Sequence, residues 1–141
     1  VPGRTFRYEA TDASHEMQFY QCEGFMVDSN ISVANFNAIM NLFFKHFFAD
    51  SSIETRMRPG YFPFTEPSFE FDIKLKGEKK WLETVGAGMI HPNVFRSAGL
   101  NPQKIQGFAF GMGVDRLTMI KYKIDDIRLF YQNDIRFLEQ F

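Results

Sequence analysis

"SFEFDIKLKGEKKWLETVGAGMI", residues 68 to 90, decides the fold. Two β-prone runs, 68 to 75 and 80 to 90, flank the charged, glycine-bearing turn "KGEKK", which is how an antiparallel hairpin reads in sequence. Upstream, "IETRMRP" (53 to 59) adds a strand. "RTFRYEA" (4 to 10) and "MQFYQCEGFMVDS" (17 to 29) read as two more, joined by the polar, turn-forming "TDASHE". Between these sets, "SVANFNAIMNLFFKHFFA" spaces Val33, Phe36, Ile39, Met40, Phe43 and Phe47 at helical intervals behind Ser32, a good N-cap, so a helix covering a sheet is expected. Downstream, "HPNVFRSAGL" suggests a short helix begun by Pro92. "IQGFAFGMG" reads as a buried, glycine-bearing strand entering a helix "VDRLTMIKY", and the tail "DDIRLFYQNDIRFLEQF" as short amphipathic turns. Strands outnumber helices and are mostly hairpin-linked. The expected class is α+β, a mainly antiparallel β-sheet with flanking helices, in one domain over residues 1–141.

Composition narrows the function classes. The chain has 141 residues, 45% hydrophobic and 23% charged, which is globular composition. No window approaches the roughly 18 uninterrupted apolar residues of a membrane span. A single cysteine, Cys22, excludes an internal disulfide, and no charged-then-apolar leader precedes the first strand, so a cytoplasmic location is expected and Cys22 reads as core. A net charge of −1 exerts no global pull on nucleic acid, so any RNA contact is local or comes from a partner.

Four stretches carry chemistry. In "FRYE" (6 to 9), strand alternation would place Arg7 and Glu9 on one face, which fits a surface ion pair as well as a ligand contact. In "MQFYQCEG" the same alternation aligns Phe19, Gln21 and Glu23, a ring, an amide and a carboxylate able to stack on a planar group and bind an ammonium. His15, between them, has no second histidine at zinc-ligand spacing. In "GFAFGMGVDR" (107 to 116) small residues alternate before a helix bearing Arg116. That stretch lacks the Lys-Ser/Thr of a P-loop and the third glycine of a dinucleotide fingerprint. In "GYFPFTEPSFEF" (60 to 71) proline stiffens the chain between Phe62 and Phe64, so the two rings are placed either as core or as walls, directly ahead of Glu66.

Taken together these stretches resemble class II aminoacyl-tRNA synthetases. "FRYE" is similar to their motif 2 (near 4–28) and "GFAFGMGVDRLTM" to their motif 3 (near 107–121). "EATDASHEMQFYQCEG", "YFPFTEP" (within the Phe-Pro-Phe region 60–66), "WLETVGAGMIHPNVF" and "DIRFLEQF" resemble the bacterial phenylalanyl-tRNA synthetase α-subunit family specifically, across the whole chain. The resemblance implies a partial catalytic domain, with motif 1 and an N-terminal coiled coil expected upstream of Val1. It implies activation of phenylalanine by ATP and transfer to the 2′-hydroxyl of the terminal adenosine of tRNA(Phe), in an α2β2 assembly with a β subunit.

The same resemblance assigns roles. Arg7 would bridge the amino acid carboxylate and the α-phosphate, and Arg116 would pair with the γ-phosphate and lie along the adenine. Phe19 would stack on the other adenine face, Glu9 would read the adenine amino group, and His15 would reach the terminal phosphates. Phe62 and Phe64 would grip the substrate ring, Gln21 and Glu23 would hold its α-ammonium, Ala109 would face its para position, and Gly86 and Gly88 would let backbone pass close to it. Glu66 would ligate Mg2+ in a site shared with the β subunit, with Glu83 a second candidate for metal or ATP. Two other readings stand beside this one: a catalytically inactive paralogue used as a binding module, and a class II synthetase for another bulky amino acid.

Overall fold

In a computed structural model, which describes residues 1–49 and 53–141, the elements run β1 (Pro2–Phe6), β2 (Gln18–Asp28), α1 (Val33–Phe47), β3 (Ile53–Phe62), β4 (Thr65–Leu75), β5 (Leu82–Ile90), α2 (Pro92–Ser97), β6 (Gln106–Gly113), α3 (Val114–Tyr122) and α4 (Ile135–Leu138), with a single 3₁₀ turn at Ile127–Phe130. The six strands form one sheet in the order β1-β2-β6-β5-β4-β3. The pairs β1–β2, β3–β4, β4–β5 and β5–β6 are antiparallel. The α+β class and the hairpin at residues 68 to 90 are as expected; Gly77 supplies the positive φ, +89°, that its turn requires. No helix among the described residues is long and apolar enough to cross a membrane.

The chain divides into two compact units, Glu23–Met112, and Val1–Cys22 with Gly113–Phe141. In the first, α1 is opened by a capping box in which Ser32 and Asn35 satisfy each other's backbone N–H. Its buried residues are Phe36, Met40 and Phe44. Where helical spacing predicts Phe43 and Phe47, it is Phe44 that is buried, and Ile39 is exposed; the stripe follows i, i+4, i+8, which the two phenylalanine pairs of "FFKHFF" hide. Phe36 meets Phe71 of β4 edge to face at 5.3 Å and Phe108 of β6 at 5.0 Å. Burying such a ring is worth about 3–5 kcal/mol, judged by truncation to alanine.

Because Phe71 and Phe108 point to α1, the residues alternating with them occupy the opposite face of the sheet. There Gly86 is paired with Gly111 and Gly88 with Ala109, making a tract of minimal side chains across β5 and β6. Glu70 and Ser68 of β4 lie opposite Gly86 and Gly88 and share that face.

The second unit has its own small core, Met119, Ile124, Ile127 and Phe137, with Leu129 and Phe130 packed on it. Here one strand is shorter than the sequence suggested. β1 ends at Phe6, so Arg7 and Glu9 do not share a strand face. The ladder gives way because Asp12 caps its own turn, accepting from the N–H of Ser14 at 2.6 Å and of His15 at 2.8 Å, and the chain from 7 to 17 becomes a loop closed by Arg7 N–H to Met17 C=O at 2.9 Å. Cys22 is half-buried and not a core residue.

Candidate active site

In the unit Glu23–Met112, proline at position 63 makes the turn between β3 and β4 and leaves Phe62 and Phe64 stacked, ring centroids 6.0 Å apart and planes 23° from parallel. Phe62 is held from below. Its N–H donates to Ser68 Oγ at 3.0 Å, and that hydroxyl is itself within 2.7 Å of Thr65 Oγ1 and donates to Thr65 C=O at 2.9 Å. Both polar side chains are buried, so the turn is fixed by satisfied hydrogen bonds as well as by proline. The Glu66–Pro67 peptide bond is cis. Phe64 stays 57% exposed, which leaves the core-filling reading to Phe62 alone.

The glycines have a local reason. A Cβ at Gly86 would come within 2.8 Å of Phe62 Cζ, and one at Gly88 within 2.6 Å of both Pro67 C=O and Thr65 Cβ. Phe62 therefore lies on the small-residue face with Gly86, Gly88 and Ala109. Sequence reasoning missed Ser68 and Thr65; a buried hydroxyl pair behind a proline turn has no period to reveal it.

Glu66 projects beside this turn, 74% exposed, with Oε2 3.2 Å from His91 Nε2. His91 also caps α2, its Nδ1 accepting from Asn93 N–H at 3.1 Å, so Nε2 carries the ring proton and faces Glu66. Among the described residues no group of three or more His, Cys, Asp or Glu side chains is arranged to hold a metal ion. Magnesium keeps several waters and takes one or two carboxylates plus phosphates, so an exposed single carboxylate such as Glu66 has the chemistry to offer it one oxygen.

Further along β4, Asp72 is buried, its side chain 2% exposed, and accepts from Arg58 Nε at 2.6 Å and Nη2 at 2.9 Å and from Arg56 Nε at 2.7 Å. Arg58 hydrogen bonding, reinforced by Arg56, holds the Asp72 carboxyl below the usual carboxylate range against the opposing effect of burial. Arg58 also reaches Glu70 at 2.8 Å and Glu83 at 3.6 Å. Glu83 is thus already engaged with a cation.

In the unit formed by Val1–Cys22 and Gly113–Phe141, the Arg7 guanidinium lies over the Phe19 ring, 4.9 Å from its centroid, and donates to Gln21 Oε1 at 3.4 Å. Phe19 and Gln21 share a face of β2, as alternation predicts, and Arg7 joins them from the loop. Arg7 also lines an open concavity of ≈ 380 Å³ with Phe6, Tyr8, Glu16, Met17 and Gln18. His15 Nδ1 is 3.0 Å from Asp12 Oδ1. Glu9 stands exposed in the loop. Arg116 sits in the first turn of α3, half-buried, just after Gly113 leaves β6. Arginines 56, 58, 128 and 136 are paired with aspartates; among the described residues Arg7 and Arg116 have no carboxylate within 4.0 Å, and neither do Arg4, which donates to the Tyr20 hydroxyl at 3.2 Å, and Arg96, which donates to Asn93 Oδ1.

The whole chain, residues 1–141, matches the family described as tRNA synthetases class II core domain (F), and the chain belongs to that family. It is 52% identical over 141 residues to the phenylalanine–tRNA ligase alpha subunit of Photobacterium profundum and 51% identical to that of Aliivibrio fischeri. The matches cover 100% of this chain and 42% of each relative, so the chain spans about 42% of the length of the curated relatives it matches. A crystal structure of pyrrolysyl-tRNA synthetase from Desulfitobacterium hafniense superposes with a TM-score of 0.64 at 15% identity, over 94% of this chain and 44% of that one, a likeness of fold alone.

Proposed function

We propose that this chain is part of the catalytic domain of a cytoplasmic phenylalanine–tRNA ligase α subunit, working with a β subunit in an α2β2 assembly. The observation that carries the reading is the stacked Phe62–Phe64 pair, with the Phe62 ring over Gly86 on the small-residue face it shares with Gly88 and Ala109, apolar surface of the kind a benzyl ring packs against; the names of the relatives support it. In this reading the phenylalanine ring lies against Phe62 and Phe64 with its para carbon toward Ala109, and Gln21 and Glu23 take the ammonium group.

The reaction requires no enzymatic base in its first step. The carboxylate of phenylalanine attacks the α-phosphorus of ATP, the bond to the β-phosphate oxygen breaks, and pyrophosphate leaves. Arg7 neutralises charge gathering on the α-phosphate oxygens and aligns the carboxylate, a task for which a forked guanidinium is suited. Arg116 binds the γ-phosphate, Phe19 and Glu9 bind adenine by stacking and by its amino group, and His15 reaches the terminal phosphates. The 2′-hydroxyl of the terminal adenosine of tRNA(Phe) then attacks the activated carbonyl and AMP leaves. Glu66 would give Mg2+ one oxygen ligand in a site completed by the partner, where the metal would offset phosphate charge; no step is assigned to it.

Retention of both Arg7 and Arg116 favours an enzyme over an inactive binding module, and the Phe-Pro-Phe turn favours phenylalanine over other bulky amino acids. Ligand-induced stabilisation tests the reading: a ligand at a hundred times its Kd stabilises by about 2.7 kcal/mol. In the full-length protein with its partner, phenylalanine should raise the Tm well above the effect of equimolar tyrosine or leucine, and ATP should raise it separately. Equal responses to all three amino acids would reject the assignment.

A further inference from the structure

The buried carboxylate of Asp115, next to Arg116 in the first turn of α3, accepts two hydrogen bonds on Oδ2. One comes from the backbone N–H of Tyr20 in β2 at 3.0 Å, and the other from the Tyr131 hydroxyl at 2.5 Å. Tyr20 stands between Phe19 and Gln21, the two residues beneath Arg7. Tyr131 closes the 3₁₀ turn Ile127–Phe130, donating its N–H to Arg128 C=O at 3.0 Å. The other end of that turn holds the loop, since Ile127 N–H donates to Ala13 C=O at 3.0 Å, two residues before His15. We infer that Tyr131 is a positioning residue for ATP, acting through Asp115 to set the direction of Arg116 and the registry of Phe19. The inference rests on the proposal that Arg116 and Phe19 bind ATP.

The physical case is one of rigidity. The N-cap of α3 is Gly113, which offers no side-chain cap, so the first turn that carries Arg116 is not anchored from in front. Asp115 anchors it from the side. A buried carboxylate with two donors is far more fixed than a solvated one, and losing one donor leaves it under-satisfied. Burial first, then the bond to Asp115, pushes the Tyr131 hydroxyl above its ordinary pKa, so it stays protonated and donating throughout the working pH range.

The test compares Tyr131→Phe, Arg116→Ala and the double variant in the full-length protein with its partner subunit, by phenylalanine-dependent ATP–pyrophosphate exchange. Tyr131→Phe should raise KM for ATP about five- to tenfold and leave KM for phenylalanine within about twofold. Added to Arg116→Ala it should raise KM for ATP by less than it does alone, the remainder passing through Phe19, because residues acting as one unit are non-additive. Asp115→Asn, which keeps an oxygen acceptor for both donors, should retain more ATP affinity than Asp115→Ala and covers the case in which Tyr131→Phe does not assemble. A fall in Tm with both KM values unchanged, or with both raised together, would make the Asp115–Tyr131 contact purely structural and overturn the inference. If instead Arg116→Ala itself left KM for ATP unchanged, the ATP reading of Arg116 would fall first and the inference with it.

Discussion

The ring of Phe62 lies over the backbone of Gly86, so that a Cβ there would meet its Cζ at 2.8 Å. The two glycines of this strand should therefore respond differently to alanine. At Gly86 the obstacle is the far edge of a side chain that can tilt, so Gly86→Ala should leave the Tm within a few degrees and move the ring, raising KM for phenylalanine. At Gly88 the obstacles are a backbone carbonyl and the Cβ of buried Thr65, which cannot yield, so Gly88→Ala should cost about 1–3 kcal/mol of stability as overpacking does. Thermal melts and exchange kinetics of the two variants check this; equal stability losses would contradict it.

Asp72 should make the fold acid-sensitive. Its folded pKa is depressed, with Arg58 the leading cause and Arg56 adding to it, so the unfolded chain binds the proton more readily. The pairing thus stabilises the fold above the unfolded value of about 4 and is lost as the pH falls from there through the folded value. Asp72→Asn should cost about 1–3 kcal/mol at pH 7, a modest figure because both arginines are over a third exposed and water takes up part of the loss. The difference in Tm between wild type and variant should shrink between pH 5 and pH 3. A difference independent of pH would show that the ion pairs add nothing.

Arg7→Ala should lower phenylalanine-dependent ATP–pyrophosphate exchange by several hundredfold or more, since one preorganised donor to developing charge is worth about 3–4 kcal/mol. Binding of phenylalanine without ATP should suffer less. Exchange within about threefold of wild type would reduce Arg7 to the partner of Phe19 and Gln21 seen in the structure.

How legible this was in the sequence depended on whether a residue's partners lie along the chain. The hairpin at residues 68 to 90, the Ser32 cap and the shared face of Phe19 and Gln21 follow from local pattern, and the structure has them. The end of β1 was misread because alternation in "RTFRYEA" continues past the point where Asp12 captures its own turn. The contacts that fix the surrounding structure were invisible for another reason: Ser68 under the Phe62 N–H, Arg58 on Asp72 and Tyr131 on Asp115 join residues 6, 14 and 16 positions apart, with no motif to mark them.

Ala109, directly opposite Gly88 on the small-residue face, should limit how far a ring bound against that face can extend. Ala109→Gly should admit para-chloro-phenylalanine, with discrimination falling roughly 10- to 200-fold, since one methyl-sized group in an apolar pocket is worth only about 1–3 kcal/mol. Tyrosine should gain less, because its hydroxyl would lose water without finding a partner. The ratio of kcat/KM for the chloro analogue to that for phenylalanine decides this; an unchanged ratio in a folded, active variant would make Ala109 ordinary packing.

The central claim, that this chain helps activate phenylalanine, is tested most directly by ATP–pyrophosphate exchange in the full-length protein with its partner subunit, run with each proteinogenic amino acid in turn. The account predicts exchange that depends on phenylalanine, with tyrosine, tryptophan and leucine at least about a hundredfold lower in kcat/KM. Faster exchange with any other amino acid, or none with phenylalanine while ATP still raises the Tm, would contradict it.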